Sequence, residues 1–292
     1  MTSHVTLPVV VGVDGSESAR IAVRWAAVEA ALHDAPLHLV YVIGAPLDNG
    51  PGITTVPVRY ETFREAGEDA LDEAIQVATG AVADRGGVEM ARFVVGGMPI
   101  PVLTERSKQA RLLVVGSRGL GAIRRGLLGS VGAAVSRHAH CSVAVIPDHD
   151  RVDRSAGAVV VGVEGADADV DVVALTVAFD EAAHRDAELV AMHVWTMGGI
   201  TSAAALRAEC DMLLSERLAV FRERHPEVRT RQVVAEDSPV KRLREASDEA
   251  QLLVVGTHDS GWAAELISGS VSQAVTHHAT CPVVIARSAE SK

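Results

Sequence analysis

The stretch PVVVGVDGS, residues 8–16, decides the fold. Val9, Val10, Val11 and Val13 form a β-branched run with no polar alternation, the pattern of a strand buried on both faces of a parallel sheet. The Asp-Gly-Ser turn that follows leads into SARIAVRWAAVEAALHDA, whose helical spacing predicts Ile21, Trp25, Val28 and Leu32 on one inward stripe. Ser16 or Ser18 is the expected N-cap. The opening then returns: VVVGVDG at 9–15 recurs as VVVGVEG at 159–165, LLVVGSRG at 112–119 as LLVVGTHD at 252–259, and GSVGAAVSRHAHCSV at 129–143 as GSVSQAVTHHATCPV at 269–283. The copies keep their order, with spacings of 150 and then 140 residues, so the chain reads as a duplicated domain. The expected domains are 1–148 and 158–292, joined by the polar linker 149–157.

Each half alternates strand and helix. In the first, strands are expected at 37–43, 91–96, 111–117 and 142–147, and helices at 61–86, from Pro99 onward and at 129–139. The helix at 61–86 is predicted to turn Phe63, Ala70, Leu71, Ala74, Ile75, Ala78 and Val82 inward. Such alternation implies two tandem doubly wound parallel five-stranded α/β sheets, Rossmann-like, with right-handed crossovers. Aromatic residues are only 3% of the chain, so the cores must be built from Ala, Val, Leu and Ile.

The net charge of −11 argues against a nucleic-acid partner, which would need a broad basic face. No apolar run approaches the ~20 residues of a membrane helix, and the first residues lack the basic start of a signal peptide. Cys141, Cys210 and Cys281 form no CxxC pair, which suits a reducing compartment. A cytoplasmic protein is expected.

In doubly wound sheets ligands lie beyond the carboxyl ends of the strands, where the strand order reverses. Two segments break the apolar pattern there: GVDGS after the first strand and GSRGLGAIRRGLLGS, residues 116–130, after the fourth. Glycines let backbone amides approach a phosphate, and the helix opening at Gly129, Ser130 and Val131 adds unpaired N–H groups with a favourable dipole. Arg118, Arg124 and Arg125 add positive charge. Asp14, unsuited to phosphate, is placed to accept from ribose hydroxyls or an adenine amine. The chain contains no Gly-Lys pair, so this is not a P-loop, and no GxGxxG pattern, so neither NAD nor flavin is expected.

These residues resemble the universal stress protein family in its tandem-domain form. The family signature G-x2-G-x9-G-[ST] is met by Gly116, Gly119, Gly129 and Ser130, and the opening VVVGVDGS, the turn GMPIPVL and the segment HCSVAVIP match as well. The resemblance covers essentially the whole chain. It implies that ATP, with Mg as a possible companion, is held by Gly12, Val13, Asp14, Gly15, Ser16 and Val42 on one side and by Gly116, Ser117, Arg118, Gly119, Gly129, Ser130 and Val131 on the other. It implies a weaker second site at Gly162, Glu164, Val194, Gly256, Gly269, Ser270 and Val271, and homo-oligomers paired through 142–147 and 282–287.

The second half departs from the signature. Glu164 replaces Asp14, Gly165-Ala166 replaces Gly15-Ser16, and Asp259 stands where the second signature glycine belongs. Between 116–131 and 256–271 the formal charge changes from +3 to −2, and only His258 could become positive in the second loop. The first site is therefore expected to bind ATP better. With no positioned lysine, no acidic pair for Mg near the glycine loop and no nucleophile–base pair, no catalytic residue is assigned. The expected function is a nucleotide-dependent stress regulator. The alternatives are a slow ATPase or nucleotidyl-transfer enzyme, and a scaffold without nucleotide. His138, His140 and Cys141, echoed by His277, His278 and Cys281, match no closed zinc spacing, so no metal is expected. Cys210 is read as core, and Trp195 and Trp262 as packing residues.

Overall fold

The computed structural model describes residues 6–44, 56–119, 128–148, 156–165, 167–196, 203–257 and 269–288. Arg124, Arg125, His258, Asp259, Trp262, Glu265 and most of the expected linker lie outside them. The chain divides into two compact units between Asp148 and His149.

In the first unit the order is β1 (Val9–Val13), α1 (Glu17–Leu32), β2 (Leu37–Ile43), α2 (Val56–Ala81), β3 (Met90–Gly96), α3 (Pro99–Ser107), β4 (Leu112–Gly116), α4 (Ser130–His138) and β5 (Ser142–Ile146). The strands pair in parallel in the order β3-β2-β1-β4-β5, with Val9 opposite both Leu37 and Leu112. Strand order reverses beside β1, so a crevice opens beyond the carboxyl ends of β1 and β4. The β-branched runs fill the middle layer: Val9, Val11, Leu37, Leu39, Leu113, Val114 and Val143 are fully buried. Helices α1 and α2 pack together, as do α3 and α4.

The second unit repeats this plan with β6 (Val159–Gly162), α5 (Ala168–His184), β7 (Leu189–Trp195), α6 (Ala203–Arg224), β8 (Thr230–Glu236), α7 (Pro239–Ser247), β9 (Leu252–Gly256), α8 (Gly269–His278) and β10 (Val283–Ala286). Its parallel order is β8-β7-β6-β9-β10. The doubly wound α/β class read from the alternation is the one observed. Both units staple a helix end to the final strand with one serine. Ser107 Oγ accepts from the His140 amide at 2.8 Å, and Ser247 Oγ from the Thr280 amide at 3.0 Å. No helix among the described residues is long and apolar enough to cross a membrane.

Two helix faces differ from the sequence expectation. On α1 only Trp25 of the predicted stripe is buried; Ile21, Val28 and Leu32 are half-buried. The face against the sheet is instead Ala19, Ala22, Val23, Ala26 and Ala30. Small side chains let the helix sit close to the strands, and the larger residues flank the contact, so ranking by hydrophobicity rotated the predicted face. Helix α2 begins at Val56, five residues before the expected start, and buries Leu71, Ala74 and Ala78, with Val82 buried just beyond its end. Ala70 and Ile75 are half-buried, while Phe63, predicted inward, is 42% exposed.

A close alanine face makes a testable claim. Ala26→Leu overpacks a fully buried position and should cost about 1–3 kcal/mol in urea denaturation. Leu32→Ala, on the half-buried flank, should cost less than about 1.5 kcal/mol, below what full burial of a leucine supplies. The reverse ranking would show that α1 packs through the stripe read from the sequence.

Candidate nucleotide site

The first crevice is built from two loops. After β1, Asp14 Oδ1 accepts from the Ser16 amide at 2.9 Å, and Ser16 Oγ accepts from the Ala19 amide at 3.2 Å, capping α1. Gly15 between them has φ +81°, a left-handed turn that suits glycine. After β4, the Ser117 amide donates to the Ile146 carbonyl and the Gly129 amide to the Ser117 carbonyl, both at 2.8 Å. The Arg118 amide donates to Ser18 Oγ at 3.2 Å. Ser18, one of the two cap candidates, is thus not the cap; it lies 4% exposed beneath the second loop.

The walls meet at Asp14 and Gly119. A β-carbon at Gly119 would lie 2.6 Å from Asp14 Oδ2, so no other residue fits without displacing the carboxylate. At Gly129, where α4 is capped, a β-carbon would lie 3.7 Å from the Gly119 nitrogen, which places the start of α4 beside the same point. Ser130 is exposed and Val131 half-buried in the first turn of α4. Val42 lies one residue from the end of β2, paired with Val95.

Not every predicted residue faces this crevice for the reason expected. A β-carbon at Gly116 would strike Ser18, 2.5 Å from its Oγ and 2.8 Å from its carbonyl oxygen, and one at Gly12 would lie 3.3 Å from Leu103 Cδ1. Both glycines therefore serve helix packing. Val13 is buried. Arg118 directs its guanidinium to Asp148, with Nη2 2.8 Å from Oδ2, so its charge is locally matched. Asp148, two residues beyond β5, was not anticipated.

In the second unit the turn after β6 is filled by the chain's own side chains. Asp171, 1% exposed on the first turns of α5, accepts from the Glu164 amide through Oδ1 at 2.9 Å and from the Gly165 amide through Oδ2 at 3.0 Å. His193 Nδ1 donates to the Val163 carbonyl at 2.9 Å. At Gly165 (φ +79°) a β-carbon would meet Leu213 at 2.8 Å and His193 at 3.0 Å, where Gly15 has only Ala70 at 3.8 Å. Glu164 itself is exposed, and Asp167 rather than residue 166 caps the helix, so the turn is longer than in the first unit. Gly162 packs on Leu243, and Gly256 would clash with Val170, the place Ser18 takes in the first unit. Val194 is half-buried in β7, while Gly269, Ser270 and Val271 open α8. Cys210 is buried, as read. Asp171 was legible as an acid opening the inward row that continues through Ala174, Leu175 and Ala178, a row that also carries Glu181.

Burial raises the Asp171 carboxyl above its ordinary value, against the pull of the Glu164 and Gly165 amides and of Arg217. Asp171→Ala leaves two loop amides without their acceptor and should destabilise the second unit by about 1–3 kcal/mol. A carboxyl held above its unfolded value binds its proton more tightly when folded. Its contribution is complete below the unfolded value of 3.8 and declines as pH rises through the folded one. The stability gap between the unaltered chain and Asp171→Ala, measured by urea denaturation, should narrow from pH 4 to pH 7; a widening gap contradicts this.

Comparison with known proteins agrees with this double architecture. The model of the universal stress protein family matches residues 7–147 and again 157–287. A universal stress protein of Mycobacterium tuberculosis is 38% identical over 287 residues, covering 96% of each chain. Another from the same organism is 36% identical over 289 residues, covering 97% of each. Among solved structures, a universal stress protein from Archaeoglobus fulgidus shares the fold with a TM-score of 0.72 at 20% identity, covering 98% of each chain. With the family pattern met twice in succession along one chain, this protein belongs to the universal stress protein family.

Proposed function

We propose that the chain binds one adenine nucleotide, ATP, in the crevice of its first unit and acts as a nucleotide-dependent stress-response regulator rather than as an efficient enzyme. The observation that carries this reading is the meeting of Asp14 and Gly119, where an acid and a bare backbone form adjoining walls at the carboxyl ends of β1 and β4. Asp14 accepts from ribose hydroxyls or the adenine amine. Gly119, Gly129 and the first turn of α4 face the phosphates, where backbone N–H groups and the helix dipole favour an anion. Arg118 contributes less than its charge suggests, because Asp148 already holds it. Mg accompanies the polyphosphate as its counter-ion.

The second crevice takes no nucleotide in this reading. The Asp171 carboxylate already occupies the Glu164 and Gly165 amides, and Leu213 and His193 crowd the glycine turn. An incoming ribose or adenine would meet amides already bonded to Asp171 and a turn crowded by Leu213 and His193.

Isothermal titration of the purified chain, first stripped of any nucleotide that co-purifies, should give one ATP per chain. Gly119→Asp sets a second carboxylate against Asp14 and should weaken that binding at least a hundredfold. No ATP uptake by the unaltered chain, or two equivalent sites per chain, would overturn the proposal.

A further inference from the structure

We infer that Ser18 is a positioning residue for the phosphate side of the first site, an inference that rests on the nucleotide reading above. Ser18 lies in the first turn of α1, yet Ser16 caps that helix. Its hydroxyl instead accepts from the Arg118 amide at 3.2 Å, inside a residue only 4% exposed. Directly above it is Gly116, where any β-carbon would collide with its Oγ and carbonyl. The glycine thus admits the serine, and the serine takes the amide two residues further on.

With the Ser117 amide on Ile146 and the Ser117 carbonyl on Gly129, this makes three hydrogen bonds on two consecutive residues. Gly119 is the next residue and the one that meets Asp14. The distance between the acid wall and the glycine wall is therefore set from beneath by α1. Ser18 touches no ligand; it acts through the backbone of Arg118 and Gly119.

The second unit supplies an internal comparison. Val170 takes the place of Ser18 under Gly256 and has no hydroxyl to offer. Its strand exit is held from the other side, where Ser272 Oγ donates to the Gly256 carbonyl at 2.9 Å. The residue equivalent to Ser272 in the first unit is Gly132, which has no side chain for that role. The unit read as the nucleotide binder holds an amide of its loop through α1. The unit whose turn is filled holds a carbonyl through α8.

The test uses two nearly isosteric variants of the full chain, Ser18→Val and Ser18→Thr. Both add β-branching at a position where the second unit already carries valine, and only threonine keeps the hydroxyl. Titrations with ATP and with adenosine, together with the amide exchange rate of Arg118 measured by NMR, separate positioning from general packing. Ser18→Val should lose about tenfold in ATP affinity, the effect of one buried hydrogen bond, with less than a twofold change for adenosine. Its Arg118 amide should exchange faster. Ser18→Thr should restore ATP binding to within twofold and keep the amide protected. The inference fails if the unaltered chain binds ATP and Ser18→Val binds it equally well, if Ser18→Thr loses as much as Ser18→Val, or if adenosine and ATP weaken in parallel. An unaltered chain that binds no ATP overturns the site reading itself, and Ser18's role toward phosphate with it.

Discussion

The first unit depends on how closely the start of α1 approaches the end of β4. Gly116 has no β-carbon, and Ser18 occupies the space one would need. The contact continues along the helix as Ala19, Ala22, Ala26 and Ala30, all buried and all small. A larger residue at any of these points would push the helix off the sheet and shift the loop that leaves β4. Helix seating and site geometry are therefore a single constraint. The loop takes its position from the helix beneath it, and the helix takes its position from a glycine in the strand.

The second unit keeps this steric constraint and changes its polar content. Gly256 again makes room for the first turns of a helix, here for Val170 and Ala174. Where the first unit places a hydroxyl under its loop, the second places a methyl group. Where the first leaves an acid at the crevice wall, the second buries Asp171 and closes both carboxylate oxygens on backbone amides. A buried carboxylate is costly unless its oxygens are satisfied, and the β6–α5 turn supplies two donors. One fold thus carries two polar arrangements of the same corner, one with its acid on the strand-end turn and one with its acid buried on the helix.

The parts legible in the sequence were those governed by local pattern. The valine runs Val9–Val13 and Val159–Gly162, the duplication, and the alternation of strands and helices gave the parallel sheets directly. What escaped was set by packing distance. The buried face of α1 was misread because alanine ranks below Ile21 and Leu32 in hydrophobicity yet fits closer to a sheet. Phe63 was placed inward by its periodicity alone, although residues 61–66 of α2 are all exposed. Glycines read from spacing as ligand contacts divide into two kinds in space. Gly12 and Gly116 make room for Leu103 and Ser18, and only Gly119 lies against Asp14. Spacing shows that a side chain is absent; it does not show which neighbour requires the absence.

The acidity of the chain and the proposed anion site are compatible for the same reason. A net charge of −11 is spread over the whole surface, and at physiological ionic strength such charges are screened beyond about 8 Å. Within that range, the Arg118–Asp148 pair is matched by itself and leaves little field of either sign. In the proposed site, what would act on a phosphate at Gly119 is the short-range set of dipoles, the loop amides and the first turn of α4, whose strength depends on orientation more than on distant charge. Orientation is what the hydrogen bonds of Ser117 and Arg118 control. On the proposed reading an acidic protein holds a polyphosphate through amide directions fixed at one corner, and the buried Ser18 hydroxyl engages one of those amides.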